Sequence, residues 1–309
     1  MPFGRAAEVL EIVGQIGIST TSIWRLTKKW TRVMEAIDHV EQEKAYALPL
    51  ARERSDPDLR MGASMDGVMI PVREEGWKEA KIGSVYRVGI RPARDPLTQE
   101  VVPLGCAEEI SYVAHLGKPA PFGQAMWAEA RRRGWSQEIE TQVIGDAAAW
   151  IWNLTKEHFH KSYQTVDWCH GVEHLATAAH AMYGEREAAI LPWLGKQKKA
   201  LFLGDAMGIS ASLQRAAERH PEAADDLNRE SLFFEKQKRR MNYLEMRNEG
   251  WVIGSGTVES GAKQIKHRLA GPGMQWDRPN AQRMLLLRTK IMSRTFRRAW
   301  SLAYNLPPN

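Results

Sequence analysis

Residues 61–73, MGASMDGVMIPVR, decide how this chain is read. The run is apolar, ends in a Pro-containing boundary, and carries one acid, Asp66, in its interior. Two segments of the same kind follow, EAKIGSVYRVGI (79–90) and EVVPLGCAEEISYVAHL (100–116). Rich in Val, Ile and Tyr and punctuated by Gly and Pro, they read as three strands in succession. PFGQAMWAEARRRGW (121–135) then reads as a helix, TQVIGD (141–146) as a short strand, 147–158 as a helix, and YQTVDW (163–168) as another strand.

Three strands, helix, strand, helix, strand is an α/β order. It is the order of a ribonuclease-H-like core, a mixed sheet flanked by helices. Outward from it, residues 170–250 turn helical, with polar breaks near Gly204 and Pro221. A further helix is expected from Thr257 to Leu269, and a basic tail helix from about Pro279. Upstream, 5–36 read as two short helices broken near Gly14 to Gly17. The expected divisions are a helical pair at 1–36, a connector at 37–60, the first part of the core at 61–174, an all-helical insertion at 175–250, and a closing helix with basic tail at 251–309.

The 43% hydrophobic and 26% charged content are ordinary for a globular chain. No apolar run is long enough for a membrane span, and the opening MPFGRAAEVLEIVG lacks the features of a secretory signal. Two cysteines, Cys106 and Cys169, exclude a disulfide framework and a four-cysteine zinc site. A cytoplasmic, nucleoid-associated setting is expected. The net charge of +6 is unevenly spread. Residues 261–300 hold ten Lys or Arg against the single acid Asp277, which is +9 locally and leaves 6 − 9 = −3 for the rest. That asymmetry points to a polyanionic partner.

Three acids stand where an acid should be unfavourable. Asp66 interrupts a strand, Asp146 ends another, and Glu259 opens a helix behind the glycine loop of IGSGTVES. Buried charge costs desolvation unless it is paired, and hard divalent cations pair well with carboxylates. Each acid also has an ordinary use: Asp66 in a turn or bulge beside Gly67, Asp146 as a helix cap, Glu259 as a complement to a helix dipole.

The motifs MDGV (65–68), VIGDAAAWIW (143–152), VDWCHGVEHL (166–175) and VIGSGTVESGAKQIKHRLAGPGMQW (252–276) resemble those of ISKra-type insertion-sequence transposases, in order and with similar spacing. The resemblance implies an Asp-Asp-Glu enzyme with Asp66, Asp146 and Glu259 as catalytic and metal-holding residues. It further implies two Mg²⁺ or Mn²⁺ ions, with Asp167 and His170 in support as a D-x-x-H motif. The implied chemistry is hydrolysis of a phosphodiester at an element end, then attack of the freed 3′ hydroxyl on a target strand. Double-stranded DNA is the implied partner, engaged by a homodimer or higher oligomer. Ala147 stands where the family more often has Gly, and family members usually carry more sequence ahead of the helical pair.

Two other readings compete. His170-x-x-Glu173-His174 fits an inverted zinc-peptidase pattern, though no third ligand can be named. Alternatively the chain binds DNA without cutting it. Ala6, Val9, Leu10 and Val13 would give a first helix its apolar stripe, and Ser19 would cap a second carrying Ile23, Leu26, Trp30 and Val33. A helix-turn-helix of this kind, or equally a packing hairpin, would turn Arg25, Lys28, Lys29 and Arg32 outward. Lys263, Lys266, Arg268, Arg278 and Arg288 are the expected phosphate contacts of the basic end, with Trp276 as a base-stacking aromatic.

Overall fold

The computed structural model describes residues 2–47, 59–95, 99–136 and 139–305. Two helices, α1 (Phe3–Ile12) and α2 (Thr20–Tyr46), precede the sheet. Strands β1 (Arg60–Val72), β2 (Gly76–Arg94) and β3 (Val101–Leu116) form an antiparallel meander. After α3 (Pro119–Arg132), β4 (Glu140–Gly145) lies parallel to β1; after α4 (Ala149–His158), β5 (Tyr163–Val166) lies parallel to β4. The chain is therefore α/β, with a mixed five-stranded sheet in the order β3-β2-β1-β4-β5 flanked by helices.

The alternation of β1 explains both layers. Met61, Ala63 and Met65 face one way, into a core with Phe122 and Met126 of α3 and Ile151 of α4. Val68, Ile70 and Val72 face the other, against Val258, Ala262, Ile265 and Leu269 of α10 (Gly256–Leu269) and Leu285 of α11 (Arg278–Met292). Successive side chains of a strand point to opposite faces, so Asp66 belongs with the even-numbered set, on the α10 side. The spacing of Val258, Ala262, Ile265 and Leu269 is that of one helical face, which fixes α10 on the sheet.

Between β5 and α10 run α5 (Trp168–Tyr183), α6 (Glu187–Phe202), α7 (Ala206–Arg219), α8 (Ala224–Gln237) and α9 (Tyr243–Asn248). Helix α5 passes unbroken through residue 174, where the core was expected to end. Its Leu175, Ala178 and Met182 share one core with Leu201, Leu213, Leu227 and Phe234. Likewise α2 continues through residue 36 as a helix of 27 residues. The expected connector is thus helical at its start, while its residues 48–58 lie outside the described residues. No described helix is long and apolar enough to cross a membrane.

Two expectations for the ends need correction. Ser19 does cap α2, accepting from the Ser22 amide at 3.1 Å. The stripe on α1, however, is packed only in part: Ala6 and Leu10 are half-buried, no α1 residue is fully buried, and Val13 is 79% exposed. Phe3 meets Trp24 with ring centroids 5.2 Å apart, a contact that joins the two helices of the pair. The basic end is also less free than its charge count suggests. Glu35, Asp38 and Glu41, three residues apart on α2, pair with Arg283, Lys290 and Arg298 respectively, the last on α12 (Phe296–Asn305).

The segment leading into α10 is held by backbone contacts. A Cβ on Gly105 would lie 2.4 Å from the Gly250 carbonyl oxygen and 2.7 Å from the Trp251 backbone. The Gln142 side-chain amide donates to the Val252 carbonyl at 2.9 Å, and the Trp168 amide to that of Ile253 at 3.0 Å. Because backbone cannot yield as a side chain can, Gly105→Ala should destabilise the fold by roughly 1–3 kcal/mol. The measurement is the urea midpoint, which should fall without a change in slope.

Candidate active site

The register of the sheet brings the first two acids together. Met65 of β1 stands opposite Gly145 of β4, and Gly145 opposite Val166 of β5. The next residues are Asp66 in the middle of β1, and Asp146 and Asp167 just past the carboxyl ends of β4 and β5, on three adjacent strands spaced about 4.8 Å apart. Helix α10 delivers the fourth acid, Glu259, in its first turn. Ser84 and Thr257 hydroxyls lie 2.8 Å apart and the Tyr112 hydroxyl donates to the Thr257 carbonyl at 3.2 Å, anchoring that turn on the sheet.

Asp167 does the most structural work. It is 3% exposed. One carboxylate oxygen accepts from the His170 amide at 2.8 Å, capping α5; the other accepts from the Ser255 amide at 2.5 Å. Those two amides belong to segments 85 residues apart in the chain, so this one side chain fixes the start of α10 relative to β5. Ser255 in turn donates its hydroxyl to Glu259 at 3.3 Å. Asp146 accepts from the Ala148 amide at 2.9 Å and Asp66 from the Gly67 amide at 2.6 Å. Helix α4 begins after Ala148, so Asp146 stabilises the turn ahead of the helix and does not occupy the cap position itself.

Negative charge accumulates here. Burial, then the nearby Asp146, Glu259 and Asp167 charges, push the Asp66 carboxyl up to about 6, against the Gly67 hydrogen bond that pulls it down. The nearest ammonium to Glu259 is that of Lys263, 4.0 Å away on a side chain 80% exposed to water. Ligand atoms of Asp167, Cys169 and Glu259 lie within 4.8 Å of one another. The sequence reading did not assign Cys169 to the site. Its position two residues past Asp167 gave no warning, because the partner, Glu259, lies 90 residues on. Burial and the Asp167 and Glu259 charges push its thiol up.

Other expected site residues fall elsewhere. The His170 imidazole turns from the acids toward α8, with Nε2 3.3 Å from His174 Nε2 and its ring 6.0 Å from Phe233. The zinc-peptidase arrangement is not assembled. Glu173, 75% exposed, lies with an oxygen 3.4 Å from His170 Nδ1, and among the described residues no third ligand joins the two histidines. Trp276 is not available for stacking on a base: it is 8% exposed, donates its indole N–H to the Leu269 carbonyl at 2.8 Å, and is bridged to Val72. Arg278 forms a bidentate pair with Glu75, at 2.9 and 2.6 Å. Arg268 is half-buried over Phe3 and Trp276, and Arg288 donates to Gln264 at 2.7 Å. Arg25, Lys29, Arg32, Lys263 and Lys266 are exposed, and Lys28 lies half-buried with its ammonium 5.3 Å from the Trp24 ring. No protein-family model matches the chain, and no curated protein matches it.

Two outcomes follow from these observations. Ala147, between the Asp146 turn and α4, has φ of +74°, a conformation that favours glycine. Ala147→Gly should raise stability by about 1 kcal/mol, read as a higher melting temperature. For Asp66 the folded-state pKa lies above the unfolded one, so the folded form binds the extra proton between about pH 4 and 6. Stability is greatest below that window and falls as pH rises through it. In EDTA at pH 7.5, Asp66→Asn should therefore be more stable than the parent by roughly 1–2 kcal/mol, allowing for partial solvent screening. The difference should vanish below pH 4.

Proposed function

We propose that this chain is a metal-dependent DNA strand-cutting and strand-joining enzyme, a transposase of the Asp-Asp-Glu type on a ribonuclease-H-like fold. The observation that supports the reading is that Asp66, in mid-β1, feels the charge of both Asp146, just past β4, and Glu259, in the first turn of α10. The strand order β3-β2-β1-β4-β5, antiparallel then parallel about β1, is compatible with that fold.

The donor set fits hard divalent cations. Four carboxylates crowd together with one well-solvated lysine beside them, and hard oxygens are what Mg²⁺ and Mn²⁺ prefer. Asp66, Asp146 and Glu259 would hold the ions. When bound, such ions would supply stabilisation of the charge that develops on the attacking and leaving oxygens of a phosphodiester displacement.

The chain's own contributions are positional. Asp167 holds α10 so that Glu259 faces β1 and β4. The exposed ammonium groups of Lys263, which pairs loosely with Glu259, and of Lys266, on the same helix, are suited to phosphates entering the site. In the first step water displaces the 3′ oxygen of a phosphodiester, leaving a 3′ hydroxyl and a 5′ phosphate. In the second that hydroxyl attacks another phosphodiester and releases its 3′ oxygen, so no energy-supplying nucleotide is required. Arg25, Lys29 and Arg32 on the exposed side of α2 would extend the contact to duplex DNA. Two copies of the chain would serve two paired element ends.

Asp146→Ala should lower strand nicking and joining in Mg²⁺ or Mn²⁺ by about 10³-fold or more, the rate equivalent of several kcal/mol. Binding of the same duplex should change little. A parent protein that binds DNA yet neither nicks nor joins it with either ion would instead be a DNA-binding module.

A further inference from the structure

We propose that His170 and His174 form a second metal site, separate from the acidic centre, that takes a borderline-soft divalent transition-metal cation such as Zn²⁺. The two residues are four apart on α5, so their rings share one helical face. Their Nε2 atoms face each other at 3.3 Å. Two imidazole nitrogens bound to one tetrahedral zinc at about 2.0–2.1 Å must lie about 3.3–3.4 Å apart, the edge of that tetrahedron.

The outer ring nitrogens support the same assignment. His174 Nδ1 lies 2.5 Å from a carboxylate oxygen of Glu230 on α8, and Glu230 is buried, with 4% of its side chain exposed. A carboxylate at that distance is an acceptor for a proton on Nδ1, the tautomer that turns Nε2 toward His170 as a metal ligand. Glu173, 75% exposed, stands 3.4 Å from Nδ1 of His170, a looser contact on the outer side of that ring. Carboxylates behind ligating histidines are a recurrent support for metal binding, since they fix the tautomer and raise the basicity of the ring. Phe233 stacks on His174 with centroids 3.5 Å apart, which fixes the ring plane. Both histidines remain about a quarter to a third exposed, so water can complete the coordination sphere.

Imidazole nitrogens select Zn²⁺, Ni²⁺ or Cu²⁺ over Mg²⁺. Such a cation would be a structural one: it ties the first two turns of α5, whose cap is Asp167, and through Glu230 strengthens the seat of α8. The inference does not depend on whether the acids cut DNA.

The test uses untagged full-length protein carrying Asp146→Asn and Cys169→Ser, so that the acidic centre and its thiol do not supply the zinc affinity. Titration of this protein, freed of metal, with Zn²⁺ against a competing chelator should show one equivalent bound. X-ray absorption should show nitrogen and oxygen neighbours with two imidazoles. His170→Ala and His174→Ala should each weaken binding tenfold or more, and Glu230→Gln should weaken it as well. Circular dichroism identifies any variant that fails to fold, and His170→Ala, which leaves the Glu230 contact intact, then carries the comparison. Zinc affinity unchanged in the folded His170→Ala protein, or no zinc bound by the parent, would overturn the site and leave a plain histidine–histidine hydrogen bond.

Discussion

Like charges gathered where β4 and β5 end beside the middle of β1 are the constraint around which this molecule is organised. Asp66, Asp146 and Asp167 follow matched positions of three adjacent strands, so their proximity is dictated by register and does not depend on flexible loops. Burial first, and then the charges of the neighbouring acids, raise the Asp66 carboxyl to about 6. A fold that keeps such an arrangement gives up stability at neutral pH unless a cation restores it. The packing beneath the acids is accordingly firm. Val68 and Ile70 of β1 and Ile82 of β2 are fully or almost fully buried against α10, so the strand that presents Asp66 cannot shift to relieve the repulsion.

Asp167 is the piece that ties the starts of α5 and α10 together beside the acidic cluster. Its carboxylate takes up two amides, one opening α5 and one opening α10, and charge-assisted hydrogen bonds of this kind are stronger than neutral ones. The long helical excursion between them therefore begins and ends on the same side chain. This explains how nearly ninety intervening residues can be inserted without disturbing Glu259. It also separates two roles that a D-x-x-H pattern would otherwise merge. Asp167 faces the acids, whereas the His170 ring faces α8 and only its backbone amide serves the cap.

Much of the architecture was legible because period-2 and period-3.6 patterns were strong. MGASMDGVMIPVR and TQVIGD gave β1 and β4 almost to the residue, and the helix expected from Thr257 to Leu269 is α10 to within one residue. What was not legible depended on partners distant in the chain. The α1 stripe had the right spacing, but spacing cannot say whether anything packs on it, and Val13 stands in solvent. Trp276 sat among basic residues in the sequence, yet a backbone bridge to Val72 draws it into the core. A count of positive charge could not register that Glu35, Asp38 and Glu41 of α2, some 250 residues earlier, neutralise Arg283, Lys290 and Arg298. Cys169 likewise acquires meaning only when α10 folds back beside it.

The most direct measurement is the anomalous difference density of crystals soaked in Mn²⁺. Manganese should appear among the carboxylates of Asp66, Asp146 and Glu259, and the peaks should be lost in crystals of Asp66→Asn. Crystals in which those three side chains adopt the arrangement described above but hold no manganese at saturating concentration would remove the basis for phosphodiester chemistry at this acidic cluster.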